Sequence, residues 1–392
     1  MMKNAFIVSA LRTPFGSFGG AFTDISAPDF AAQVISELIQ RNSIPKEEVD
    51  EVIIGQVLQG GSSQAPARQA MRKAGLPDST HAMTINKVCG SGLKAIMLAA
   101  DSIRLGDTQI AIAGGMENMS QAPYATHKTR FGQRLGNGEM IDLIIQDGLL
   151  DPYSQRHMGD ITEDWVENHG LTREDQDNYA IHSYQLSQKA IKNGTFADEL
   201  VPVRIKTRKG EIIVSEDEEP LRGNIDKLPG LRPAFRKNGT ITAGNASSIN
   251  DGAGLALLAS EEAVKKHHLT PIARIVASST NSLHPELFAE APVDAIRKCC
   301  AKAGLQISDI GLFEINEAFS SVPLVAIKEL GLDPEKVNVN GGAVSIGHPI
   351  GASGGRLVAT LLREMKVRNV KYGLATLCIG GGEAVAAIFE LV

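Results

Sequence analysis

Short apolar runs alternate along the chain with stretches whose apolar residues recur at helical spacing. Residues 5–10 form an apolar run that reads as a strand, and residues 28–41 repeat apolar positions at the period of an amphipathic helix. A strand over 49–57, a helix over 64–74 and an extended stretch over 82–88 follow. The Ala/Ile/Leu pattern of residues 93–105 predicts another helix, and residues 109–115 a short buried strand stopped by two glycines. Strands alternating with helices imply an α/β protein with a mostly parallel sheet covered on both faces.

The last third repeats this order. Strands are predicted over 271–278, 312–315, 337–339, 372–378 and 384–391, and helices over 292–303, 319–330 and 356–364. The two passes keep step at a shift of about 260 positions, which points to duplication. In the second pass the strand ending at Cys378 turns at once into its hairpin partner. In the first, the strand ending at Gly114–Gly115 finds a plausible partner only at residues 253–258. Residues 119–249 are therefore expected to be an insertion, between a first half at 1–118, completed by 250–270, and a second half at 271–392. The insertion holds a charged helical stretch (173–193), a basic patch (Arg204, Lys206, Arg208, Lys209) and an acidic run (216–219). Both charge runs read most simply as solvated faces.

Composition narrows the function. A formal net charge of -6 argues against nucleic acid or an anionic membrane as partner, and no apolar run reaches the length of a membrane span. The 4 cysteines lack CxxC spacing and have few histidines near them, so neither a disulfide framework nor a metal site is expected. With no signal-peptide pattern at the start, a reducing cytoplasm fits best.

Cys89 follows an extended polar approach, Asn86-Lys87-Val88, and precedes Gly90-Ser91-Gly92 at the start of a helix. Amide N–H groups at that helix start would lie near the sulfur and favour thiolate over thiol. Three stretches of the second half are too polar and glycine-rich to be plain core: Asn316-Glu317-Ala318-Phe319, the segment 347–354 around His348, and Cys378 with Gly380–Gly382. Singly, Asn316 would serve as a helix cap, His348 as a core histidine and Cys378 as a small buried residue. If the halves pack about a pseudo-twofold axis, however, the Cys89 and His348 turns face each other, as an activated thiol requires.

At these residues the chain resembles the thiolases over essentially its full length. Matching segments include Val88-Cys89-Gly90-Ser91-Gly92, Gly114-Gly115-Met116-Glu117-Asn118-Met119-Ser120, Asn245-Ala246-Ser247, Asn316-Glu317-Ala318-Phe319, Gly347-His348-Pro349 and Cys378-Ile379-Gly380-Gly381-Gly382. The resemblance implies the thiolase fold, a duplicated five-layer αβαβα unit with an inserted loop domain at 119–249. It also implies that Cys89 accepts an acyl group while His348 takes its proton, and that Cys378 is the second acid/base. Asn316, through a water, and His348 would stabilise an enolate oxygen, and backbone N–H groups of Cys89 and Gly380 a tetrahedral oxyanion. His157 and Ser247 would contact coenzyme A, and Met158, Phe235, Ala318 and Phe319 would line an apolar pocket.

Coenzyme A thioesters are then the substrates, with no tightly bound cofactor. His157 directly before Met158-Gly159, and Phe288 as the wall of the acyl pocket, resemble the short-chain members. These act on acetyl-CoA, acetoacetyl-CoA and CoA as acetyl-CoA C-acetyltransferases. A 3-ketoacyl-CoA thiolase of β-oxidation is the alternative within the family. The ketoacyl synthases compete less well because they generally lack a cysteine equivalent to Cys378. A non-catalytic acyl-CoA carrier would have lost Cys89, His348 or Cys378. The resemblance further implies a homotetramer, a dimer of dimers tethered by residues 120–139, with a dimer as the fallback.

Overall fold

The computed structural model describes residues 3–208 and 210–392. Lys209 of the basic patch lies outside the described residues. The first half supplies strands β1 (Ala5–Arg12), β2 (Glu51–Gly55), β3 (His81–Ile85), β4 (Ile110–Asn118) and β5 (Asn250–Ser260). The second supplies β6 (Ala273–Ser282), β7 (Leu312–Ile315), β8 (Tyr372–Ile379) and β9 (Glu383–Leu391). They form one sheet in the order β7-β8-β9-β6-β1-β5-β4-β2-β3, with the two-residue strand Gly16–Ser17 paired to β5. The halves join where β1 meets β6 at only two pairs, Phe6 with Arg274 and Ile7 with Ala273.

Alternating side chains sort the molecule into five layers. Ile112, Leu255 and Leu257 face helices α1 (Ala27–Arg41) and α2 (Pro66–Lys73) on one outer side. Their neighbours Ala111, Ala113, Ala256 and Leu258 face α3 (Ser91–Leu105) in the centre. In the second half Ala384, Ala386 and Ile388 face the outer helices Ala291–Ala303 and Ser321–Leu330, whereas Val385, Ala387 and Phe389 face the central helix Ser353–Arg368. This is the two-residue period of strands buried on both faces. Helix α1 shows the matching helical logic. Pro28 and Asp29 stand in its first turn, Phe30, Ala31, Val34, Ile35 and Leu38 are buried, and the Asn42 side chain bonds the Leu38 carbonyl at 2.7 Å.

One predicted strand is not there. Residues 337–339 make only isolated bridges, Val337 to Phe313 and Val339 to Gly341. Asn338 is left-handed (φ 47°); its N–H donates to the Phe313 carbonyl at 2.9 Å, and its side-chain amide continues the pairing along β7, at 2.8 Å to both the N–H and the C=O of Ile315. An asparagine amide carries one acceptor and two donors, so it completes the sheet edge where a regular strand would.

Strands β4 and β5 are antiparallel partners from Asn118–Asp251 to Ile110–Ala259, and residues 119–249 leave and re-enter at that pair. They include α4 (Met158–Asn168), α5 (Arg173–Lys192) and the hairpin Val203–Thr207 with Gly210–Val214. The basic residues Arg204, Lys206 and Arg208 are exposed, as a solvated face should be. Of the acidic run only Glu216 is exposed. Asp217 is buried, receives the Arg12 guanidinium at 2.7 and 2.9 Å, and accepts the Phe15 amide, while Glu218 accepts the amides of Ser17 and Ala21. Arg12 also bonds Glu199 at 2.6 Å, so these carboxylates fasten the insertion to the end of β1.

Candidate active site

Cys89 sits in a turn under strain. Val88, a β-branched residue, is held at φ 45°, where such side chains are rare. Local bonds impose this conformation. The Asn86 side chain accepts the Val88 amide at 2.9 Å, and Ser91 accepts from Lys87 N–H and donates to the Val88 carbonyl. Gly90 is required by proximity, since a Cβ there would lie 2.4 Å from Ile379 Cδ1 of the other half. Cys89 therefore leaves its half pressed against the end of β8, half-buried.

The opposing loop is built on the start of the second central helix, Ser353–Arg368. Its first turn abuts the first turn of α3, where a Cβ on Gly354 would lie 2.1 Å from the Leu93 nitrogen. His348 is buried. Its amide donates to Asn250 Oδ1 at 3.0 Å, Nδ1 lies 2.6 Å from Ser353 Oγ, and Nε2 lies 3.4 Å from Asn316 Nδ2. Asn316 Oδ1 is buried without a hydrogen-bond partner. A buried oxygen left open in this way suits a water or a substrate group. Cys378 lies near the end of β8 and is buried, with Gly380 in the turn that follows.

Electrostatics set the resting protonation. Burial pushes the Cys89 thiol up to about 11, with a smaller push from the Glu117 carboxylate, against the N–H groups of Gly380 and Cys89 itself. The helix start does not make this cysteine a resting thiolate, because desolvation of the charged form outweighs the amide dipoles. Burial raises Cys378 well above the ordinary thiol value, and neighbouring Cys89 adds to the rise. Burial also drops His348 to about 3, with Arg356 contributing, so the imidazole is neutral. Two protonated thiols and a neutral imidazole define a site that moves protons during reaction instead of holding charge beforehand.

These groups close one end of a cavity of about 360 Å³. Cys89, His348, Cys378, Gly380, His157, Met158, Ser247, Phe235, Phe288, Ala318 and Phe319 all line it, and Asn316 stands behind His348. His157 caps α4, its Nδ1 accepting the Gly159 amide at 3.0 Å, and it stacks on Phe235. With Nδ1 used as an acceptor and burial lowering the pKa, the neutral ring turns an Nε2–H donor elsewhere. Ser247 bonds the Ala318 carbonyl through its hydroxyl and its amide, each at 3.0 Å, tying the end of the insertion to the Asn316 loop. Phe288 and Phe319 meet edge to face at 6.3 Å. Among the described residues no cluster of His, Cys, Asp or Glu is arranged to hold a metal ion, and no helix is long and apolar enough to cross a membrane.

The profile for the thiolase N-terminal domain matches residues 5–262, and that for the thiolase C-terminal domain matches residues 269–391. The chain belongs to the thiolase family. As a thiolase it is an acyltransferase. Relatives named "Probable acetyl-CoA acyltransferase" from Staphylococcus aureus strains MRSA252 and NCTC 8325 are 48% identical over 389 residues, 99% of each chain. The crystal structure of the Bacillus anthracis acetyl-CoA acetyltransferase superimposes with a TM-score of 0.97 at 44% identity, covering 100% of this thiolase and 99% of that chain. What sequence reasoning missed in this thiolase is the bracing behind the site. Ser91, Ser353, Asn250 and Glu117 hold the loops through backbone contacts, and only their lying inside or beside the glycine-rich stretches could have marked them.

Proposed function

We propose that this thiolase is an acetyl-CoA C-acetyltransferase that interconverts two acetyl-CoA with acetoacetyl-CoA and CoA. In the proposed cycle the Cys89 sulfur attacks the thioester carbonyl carbon and its proton passes to His348 Nε2. The carbon–sulfur bond to CoA breaks, and the departing CoA sulfur takes that proton. Cys378 has then to act as a base: its thiol proton passes to His348, the thiolate removes an α-proton from a second acetyl-CoA, and the carbanion attacks the acetyl carbon on Cys89. Cys89 leaves and its sulfur takes the proton held by His348, so both thiols and the neutral imidazole are restored. Amides of Cys89 and Gly380 would hold the tetrahedral oxyanion, and His348 with an Asn316-bound water the enolate oxygen.

The observation that carries the short-chain reading is the Phe288–Phe319 pair walling the cavity that Cys89 opens into. His157 and Ser247 would contact the pantetheine and nucleotide parts of CoA, with residues 119–249 as the inserted domain that binds it. Assembly into a homotetramer and a cytoplasmic location complete the proposal. The test is kcat/KM for acetoacetyl-CoA against 3-ketohexadecanoyl-CoA. A strong preference for acetoacetyl-CoA is expected. Equal or faster cleavage of the long substrate would make the protein a β-oxidation thiolase instead.

A further inference from the structure

Each central helix begins with a serine that folds back on the turn before it, Ser91 behind Cys89 and Ser353 behind His348. Ser91 shows the bonding without ambiguity. Its Oγ accepts the Lys87 N–H at 2.8 Å, so its own proton goes to the Val88 carbonyl at 2.7 Å. Ser353 repeats the pattern, with Oγ 3.0 Å from the Pro349 carbonyl and 2.6 Å from His348 Nδ1. All three groups are buried. A carbonyl only accepts, so the hydroxyl proton of Ser353 is committed to Pro349 and the shared Nδ1···Oγ proton must come from the imidazole. On the ring's other side Asn316 Nδ2 stands 3.4 Å from Nε2, a contact compatible with this tautomer.

We propose that Ser353 is a positioning residue that holds His348 as the Nδ1–H tautomer, leaving Nε2 unprotonated and able to accept the Cys89 proton. The inference rests on the reading of His348 as the base for Cys89. In the step itself the Cys89 S–H bond breaks and an Nε2–H bond forms, while Nδ1 keeps its proton and the hydrogen bond to Oγ shortens the ring's search for an orientation. The charged groups acting on this pair are Arg356, which disfavours the imidazolium, and Glu117, which disfavours the thiolate. Cys378, Asn316 and Ser353 are uncharged. Without Ser353, Nδ1 loses its acceptor and the tautomer with the proton on Nε2 is no longer excluded; in that form the ring cannot take a proton from sulfur.

The test is the rate of Cys89 alkylation by iodoacetamide, read by mass spectrometry on the full-length protein, beside steady-state turnover of acetoacetyl-CoA. Ser353→Ala is expected to alkylate about 10–100-fold more slowly than wild type near neutral pH, as for other residues that orient a functional histidine. The deficit should narrow as pH approaches the thiol's own ionisation, where no base is needed. In turnover kcat should fall with KM little changed, and Ser353→Thr should recover most of the rate. Ser353→Ala reacting at the wild-type rate would overturn the proposal. So would a deficit equal at every pH that Thr does not rescue, which marks a packing role. His348→Ala separates the two layers. If it alkylates like wild type, His348 is not the base; if it is slow while Ser353→Ala is normal, only the role of Ser353 fails.

Discussion

The Gly351 amide donates to the Glu117 carboxylate at 2.9 Å, a bond that crosses from the second half of the duplicated body to the end of β4 in the first. The same oxygen accepts Val57 N–H and its twin accepts Leu58 N–H, both at 3.0 Å. One buried carboxylate thus fastens the loop carrying His348 to the wall beside Cys89. Burial lifts Glu117 from an ordinary 4.5 to about 7, despite these amide donors. The folded protein therefore keeps a proton that the unfolded chain has already released. Since the unfolded state binds fewer protons, this group's contribution to stability falls as pH rises from 4.5 to about 7. Glu117→Gln, which cannot ionise, should lose that slope and show a constant offset. Urea unfolding of both proteins across this window reads the difference, and parallel pH profiles would refute the assignment.

The two cysteines should separate cleanly. Cys89→Ser is expected to form no acyl-enzyme with acetyl-CoA, because a serine there is a poorer, unionised nucleophile. Cys378→Ser should still be acetylated on Cys89 but fail to make or break the carbon–carbon bond. Intact-protein mass spectrometry decides this, and an acetyl group on Cys378, or full turnover by Cys378→Ser, would reverse the roles.

Phe288 is buried beside Phe319 in the cavity wall, and the proposed short-chain function makes it the limit on acyl length. Forcing methylenes past the ring costs about 1–3 kcal/mol in overpacking. Phe288→Ala should raise kcat/KM for a 3-ketooctanoyl substrate relative to acetoacetyl-CoA by about tenfold or more. Acetylation of Cys89 should be unchanged. An unaltered ratio would make Phe288 ordinary core.

Three apolar side chains lie uncovered in the segment after β4: Phe131 at 91%, Leu135 at 97% and Met140 at 68% of full exposure. A lone chain gains nothing from presenting them to water, whereas a second copy would cover them. Light scattering at micromolar concentration should give the mass of four chains, and Phe131→Ser with Leu135→Ser should reduce it to two. A wild-type monomer would contradict both.

The sheet and its covering helices were legible because period-2 and helical patterns are local. The site was legible where it broke those patterns, at Cys89, Asn316, His348 and Cys378. Other features depend on residues far apart in sequence. Asp217 reads as part of a solvated acidic run until Arg12, which neutralises it, arrives from the start of the chain. Residues 337–339 carry a strand's alternation, yet beyond one backbone bond to Phe313 it is the Asn338 side chain that pairs with the sheet edge. The resting thiol of Cys89 escaped a reading based on the helix start, since desolvation comes from packing that no single segment displays.

The pairing of β4 with β5 across residues 119–249 has a consequence for how the chain reaches its native state. Closing a loop costs about 0.6 kcal/mol more for each doubling of its length, so this excursion costs roughly 3 kcal/mol beyond a tight turn. Buried strands absorb that penalty with ease. Time is the heavier cost, because a distant partner must be found by search, whereas β8 and β9, joined by Gly380–Gly382, can zip locally. Pulse-labelled hydrogen exchange during refolding should accordingly protect β8 and β9 before β4 and β5. The half translated last would then be the half that orders first, offering its finished surface as the template on which the earlier strands assemble.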